Sequence, residues 1–300
     1  MFTQIIAGHD LHEGGRDAAA LGRVIADATG AKLVVAGVFP IAVQPFAFGP
    51  EWREEEEQLV AAIQKLADQC GAEAEAFPSS TPARGLHDLA EEIGADLVIV
   101  GSSKHSKLGE MLAGNVALTL LHGSSCPVAV APRGYHENAQ KPSAIVVGVD
   151  ANAESGLAVR EAAGLAKATG ARLKLIAAAE PPPIVYGKGA GPTQGASELM
   201  RAIEEMATAN LEKAKSSVPD GVEFDATVVR GEAAETLVEA AGDDAILVLG
   251  SRAYGSLRGV LLGSVSRAVV RAARCPVLVH PRGVQVHDSA ADKAHAGSAA

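Results

Sequence analysis

Ile246-Leu247-Val248-Leu249-Gly250-Ser251-Arg252-Ala253-Tyr254-Gly255-Ser256-Leu257-Arg258-Gly259, followed by Gly263-Ser264-Val265-Ser266, is the stretch on which the fold turns. Four apolar residues in a row leave no polar face. Such a strand is covered on both sides, as in a parallel sheet flanked by helices. The chain then breaks at Gly250, crosses a loop containing Gly and Arg, and resumes an apolar helical pattern over Leu262–Ala273. In an open parallel sheet a strand–loop–helix step of this kind lies beyond the carboxyl ends of the strands. Ligands bind there, where the strand order reverses.

Working outward, strands are predicted at Ala144–Val149, Arg172–Ala178, Val222–Val229, Ala245–Gly250 and Pro276–His280. Helices are predicted at Ala153–Thr169, ended by Gly170, at Ser197–Ser217 and at Glu232–Ala241. The first half follows the same plan, with strands near residues 3–8, 32–38, 73–77, 96–101 and 127–131. The halves repeat each other in words as well as in plan. Ala28-Thr29-Gly30-Ala31 recurs as Ala168-Thr169-Gly170-Ala171, and Cys126-Pro127-Val128 recurs as Cys275-Pro276-Val277. Each Cys-Pro-Val copy runs on to Pro-Arg-Gly. The expected fold is therefore α/β, with two tandem five-stranded parallel doubly wound sheets of Rossmann-like type. The expected domains are 1–137 and 138–283, with the boundary near Tyr135–Pro142. The tail 284–300, built of Ala, His, Asp, Ser and Gly, is expected to be disordered.

Composition narrows the function classes. The chain is 48% hydrophobic and 3% aromatic, so its core is built from Ala, Val, Leu and Ile. A formal net charge of −10 without a Lys/Arg cluster disfavours nucleic-acid binding. Three cysteines without CxxC spacing point to neither zinc nor a disulfide framework. There is no signal-like start and no apolar run near the ~20 residues of a membrane span, so a cytoplasmic protein is expected.

The chemistry resides at strand ends. Asp150 follows the first strand of the second half. Gly250, Arg252 and Ala253 follow the fourth, and Gly263, Ser264, Val265 and Ser266 open the last helix. Glycines let backbone approach an anion, and a helix start offers free N–H groups and a favourable dipole to phosphate. Two plainer readings stand beside this one: Gly250 only turns the chain, or Ser264 only caps the helix.

The tract Gly250–Ser266, with Asp150 and the closing Cys-Pro-Val strand, resembles the universal stress protein family in its tandem form. Members that bind ATP carry Gly, two residues, Gly, nine residues, then Gly-Ser or Gly-Thr. Here Gly250 and Gly263-Ser264 fit, and Ala253 replaces the middle glycine, at a cost on the order of 1 kcal/mol if φ > 0 is required there. The resemblance implies ATP, with Mg²⁺ accompanying it, as the ligand of the second half. Asp150 would lie against adenine and ribose, and Ala178 would offer its backbone to the base. Gly250, Gly263, Ser264 and Ser266 would hold the phosphates, and Gly231 would flank the site.

The first half departs further from that pattern. Asp10, Val38, Gly101, Gly114 and Asn115 match the corresponding places as a possible weaker site, but Lys104 replaces the middle glycine and Ala117 a serine. Asn115 can still cap its helix. A degenerate scaffold is the favoured reading of this half. The sequence shows no catalytic triad or paired carboxylates, so at most slow ATP hydrolysis is expected. His9 and His12 beside Asp10 read as a surface loop pair, and Glu54–Glu57 as a solvated helix face. Gly187–Gly191 reads as a flap over the site, matched by Pro45–Pro50. The closing strands Pro127–Ala131 and Pro276–His280 are edges that can pair within the chain or in a homodimer. Two functions remain open: an ATP-binding stress-response or signalling protein, and a stress-family scaffold that works through protein partners without nucleotide.

Overall fold

A computed structural model describes residues 1–40, 51–102, 114–181, 194–251 and 263–281. Arg252, Ala253, Lys104, both flap segments and the tail lie outside the described residues.

Each half runs strand, helix, strand, helix, strand, helix, strand, helix, strand. The first contains β1 (Gln4–His9), α1 (Glu13–Thr29), β2 (Lys32–Pro40), α2 (Glu51–Cys70), β3 (Glu73–Ser79), α3 (Pro82–Ile93), β4 (Leu97–Gly101), α4 (Asn115–Gly123) and β5 (Val128–Ala131). The second contains β6 (Ala144–Val149), α5 (Ala153–Thr169), β7 (Arg172–Ala179), α6 (Gln194–Lys215), β8 (Phe224–Arg230), α7 (Ala233–Ala241), β9 (Ala245–Gly250), α8 (Ser264–Ala272) and β10 (Val277–His280). The matched words Thr29-Gly30 and Thr169-Gly170 end matched helices. Both glycines are left-handed, at φ 75° and 76°, a conformation that glycine adopts without a Cβ penalty.

The strand order is β3-β2-β1-β4-β5-β10-β9-β6-β7-β8, one ten-stranded sheet. All pairs within each half are parallel. The halves meet where β5 and β10 run antiparallel, with Val277 opposite Val130 and Val279 opposite Val128. Successive strand residues feed opposite cores, because side chains alternate across a sheet. Ile5, Leu97, Leu173 and Val248 face α1, α2, α5 and α6, whereas Ile6, Val98, Val146 and Leu247 face α3, α4, α7 and α8.

Between β5 and β6 the chain makes a 3₁₀ turn at Tyr135–Glu137. Asp17 of α1, fully buried, fixes that turn. Its carboxylate accepts from the N–H of Gly134 (3.0 Å), the N–H of His136 (3.0 Å) and His136 Nδ1 (2.6 Å).

Candidate functional site

β6 and β9 are adjacent parallel strands, with Val147 opposite Val248, so Asp150 and Gly250 emerge side by side. The chain leaves β6 into α5 on one face of the sheet and β9 into α8 on the other. A crevice of about 310 Å³ opens between them, lined among others by Asp150, Ala178, Gly250, Gly263, Val265 and Ser266. Six of the ten residues expected from the sequence in this half therefore converge. Arg252 and Ala253 lie outside the described residues.

The other two stand apart. Ser264 is exposed and outside the lining, and it is not the cap of its helix: the N-cap is Gly263 (φ −61°, ψ 161°). Asn115 likewise follows its cap, Gly114. In both helices the glycine supplies the extended turn, leaving the next residue already helical. Gly231 follows β8 at φ 152°, where a Cβ would meet Thr236 Oγ1 at 2.9 Å, and it is Ala233, two residues on, that reaches the lining.

At the α8 end, the N–H groups of Ser264, Val265 and Ser266 have no intrahelical acceptor, and the positive end of the helix dipole faces the crevice. Ser266 is buried there. On the opposite wall the Asp150 carboxylate accepts from the Asn152 N–H (2.9 Å) and from Asn152 Nδ2 (2.7 Å). The Asp150 N–H in turn donates to Ser155 Oγ (3.1 Å). These bonds hold the carboxylate at the mouth of the crevice. Ile203, Met206 and Leu237 give the crevice an apolar wall near Ala178.

The sequence did not single out Ser251. Its N–H donates to the His280 carbonyl (2.9 Å), which continues the sheet by one residue. Its Oγ is buried in the crevice without a hydrogen-bond partner. A buried hydroxyl left unsatisfied costs roughly 1–3 kcal/mol, so this group favours a polar ligand. Its place immediately after Gly250 was the available signal. Glu180 was missed too, and its Oε2 accepts from the Ala233 N–H at 3.4 Å.

The first half is built differently. Asp10, Gly101, Gly114 and Asn115 line a wider depression of about 650 Å³, and Val38 is not among its walls. Val38 turns to α3, where a Cβ on Gly85 would meet its Cγ1 at 2.6 Å. The start of α1 presses onto the end of β4: a Cβ on Gly14 would meet the Ser102 carbonyl oxygen at 3.0 Å. The depression lacks the wall that Ala178 gives the crevice of the second half. Arg133 reaches the depression but is tied to Glu13, through Nε (3.1 Å) and Nη2 (3.0 Å). His9 is no loop residue: it ends β1, half-buried beside Gly15, with Nδ1 buried and unpartnered. Burial pushes its pKa down, with help from Arg16 and His12 and against the opposing effect of Asp10. Among the described residues no cluster of His, Cys, Asp and Glu suits a metal ion, and no helix is long and apolar enough to cross a membrane.

The chain is similar to proteins already known. A universal stress protein of Mycobacterium tuberculosis H37Rv is 32% identical over 239 residues, 76% of this chain and 78% of that one. A second from the same strain is 30% identical over 235 residues, 75% and 80% of the two chains. Among solved structures, a universal stress protein from Archaeoglobus fulgidus aligns with a TM-score of 0.67 at 21% identity, over 93% of this chain and 98% of that one. One from Pseudomonas aeruginosa aligns at 0.62 and 17%, over 93% of each. The model of the Universal stress protein family matches twice, over residues 1–132 and 143–281. The two matched stretches are the two parallel halves of the sheet, and the chain belongs to the universal stress protein family.

Proposed function

We propose that the second half binds an adenine nucleotide, ATP, and that the protein acts in a stress response by sensing or signalling nucleotide state. One observation carries this reading: Asp150, Ala178, Gly250, Ser251 and the start of α8 converge on a single crevice. Asp150 would meet the ribose and the Ala178 backbone the base. Gly250, Gly263, Val265 and Ser266, with Arg252 and Ala253 of the intervening loop, would hold the phosphates. Ser251 Oγ, buried and unpartnered, gives the crevice a donor for a phosphate oxygen. Mg²⁺ would come with the nucleotide, held chiefly by phosphate oxygens and water. Bound Mg²⁺ supplies charge neutralisation to the phosphates. The chain itself offers binding and orientation, and any hydrolysis would be slow.

The first half supports the second reading, a scaffold acting through protein partners, because Val38 does not line its depression and Lys104 and Ala117 depart from the phosphate-loop pattern. The β5–β10 pairing supports treating the chain as an internally paired unit spanning domains 1–137 and 138–283, which would be cytoplasmic. A homodimer remains open to sedimentation.

Calorimetric titration with ATP and Mg²⁺ tests the proposal, beside Gly263→Asp. Aspartate is a good N-cap, so the helix is kept while a carboxylate meets the phosphates. Binding to the native chain and its loss in the variant are expected. Equal heats, or none from either, would overturn the reading.

A further inference from the structure

A second cavity, of about 220 Å³, lies at the seam of the two halves and shares no lining residue with the Asp150 crevice. Because β5 and β10 are antiparallel, the amino-terminal ends of β1, β4 and β5 meet the carboxyl end of β10 there, under α5. Phe2, Ala95, Cys126, Pro127 and Leu165 supply apolar walls. Into this lining come Glu161 and His280, both buried. His280 Nδ1 and Glu161 Oε2 are 2.5 Å apart. Glu161 Oε1 is buried with no hydrogen-bond partner. A buried carboxylate with one open oxygen is costly unless a donor reaches it. Asp96, also on the wall, is already occupied by the N–H groups of Thr3 (2.7 Å) and Gln4 (3.1 Å).

The repeat shows what the space fits. Exchange of the halves carries α5 onto α1, Cys126 onto Cys275 and His280 onto Ala131. At the equivalent place Tyr135 packs against the core under α1, its hydroxyl donating to the Gln140 carbonyl (3.4 Å). A phenol ring thus fills the cleft in one half. After the matching Pro-Arg-Gly of the other half the sequence has Val284, which carries neither ring nor side-chain donor.

We propose that the seam cavity is a second ligand site, taking a single-ring aromatic molecule with a hydrogen-bond donor, a phenol or an arylalkyl ammonium. The ring takes the place that Tyr135 holds in the other half, and the donor meets Glu161 Oε1. The charge-assisted bond to an ammonium is the stronger of the two.

Cys126 is the reporter. Burial holds its thiol at about 11, so it reacts slowly, and a ligand in the cavity slows it further. The full chain carrying Cys70→Ser is treated with a thiol reagent in the presence of phenol, benzylamine or toluene. Phenol or benzylamine is expected to slow Cys126 at least fivefold at saturation, with toluene at least tenfold weaker. Protection by one and not the other identifies the donor. Glu161→Gln should weaken benzylamine at least tenfold. Gly164→Phe is the second variant: a Cβ at Gly164, on the cavity wall, meets nothing within 4 Å, so a ring there fills the space without displacing protein. It should abolish protection while leaving ATP titration unchanged, which separates this site from the nucleotide crevice. No protection by either probe, or protection that persists in Gly164→Phe, overturns the proposal. So does protection seen only after truncation at Pro281, since the tail would then own the cavity.

Discussion

Gly101, at the end of β4, and Gly14, in the first turn of α1, touch backbone to backbone: a Cβ on Gly101 would fall well inside contact distance of the Gly14 carbonyl oxygen. This contact sits on the wall of the depression that the first half has in place of the crevice, a depression that Val38 does not line as Ala178 lines the crevice. Gly101→Ala should therefore destabilise the chain by at least about 2 kcal/mol, because rigid backbone cannot yield to the added carbon. Gly30→Ala, where a Cβ meets nothing within 4 Å, should cost only about 1 kcal/mol, for the left-handed backbone. Urea unfolding of both variants checks the contrast.

The same asymmetry predicts stoichiometry. Calorimetry should give about one nucleotide per chain. Asp150→Ala should weaken binding about tenfold or more, as expected for loss of a hydrogen-bonding carboxylate, while Asp10→Ala should leave affinity and stoichiometry unchanged. Two equivalent sites, or equal losses from both variants, would contradict the proposed division of labour.

Asp17 anchors the turn between the halves. Asp17→Ala removes the acceptor of three hydrogen bonds and strands the N–H groups of Gly134 and His136. A loss of roughly 2–4 kcal/mol is expected by calorimetric or denaturant unfolding. Amide exchange should accelerate at Gly134 and His136 before it does in the strands.

Acid should weaken the fold through His9. Its pKa is lowered in the folded state, first by burial, from an ordinary value of 6.5. The unfolded chain therefore binds the proton more readily. The contribution to stability is whole above pH 6.5 and declines as pH falls below it toward the depressed folded pKa. The Tm of the native chain should drop between about pH 7 and 5, and His9→Asn should flatten that part of the curve. An unchanged slope would rule His9 out as the titrating group.

The thiols should react in order of burial. Burial raises Cys126 to about 11 and Cys275 to about 12, while half-buried Cys70 is shifted up by burial and eased back by Arg23. One fast equivalent is expected from the native chain at pH 8, and three after denaturation.

Much of the fold was legible because its signals are local. Runs such as Leu97–Val100 and Ile246–Leu249 name buried parallel strands by themselves, and Thr29-Gly30 and Thr169-Gly170 mark helix ends wherever they fall. Helix caps were read less well, because Ser264 and Asn115 have capping side chains but the preceding glycines already make the turn. Asp150 and Gly250 could be matched as strand ends by spacing, whereas Ser251 became distinct only through the burial of its hydroxyl.

The sequence by itself determined the duplicated α/β plan, the parallel strands and the loop that opens α8, since each depends on residues near one another in the chain. Tertiary structure alone decided which residues of each copy share a pocket. Val38 and Ala178 occupy matching positions, yet one turns to Gly85 and the other lines a cavity. Gly14 meets Gly101, and Glu161 meets His280 119 residues away, by packing that no local pattern encodes. Steric exclusion and the pairing of buried polar groups act between residues that only folding brings together, so these sites emerge from the packed sheet and helices.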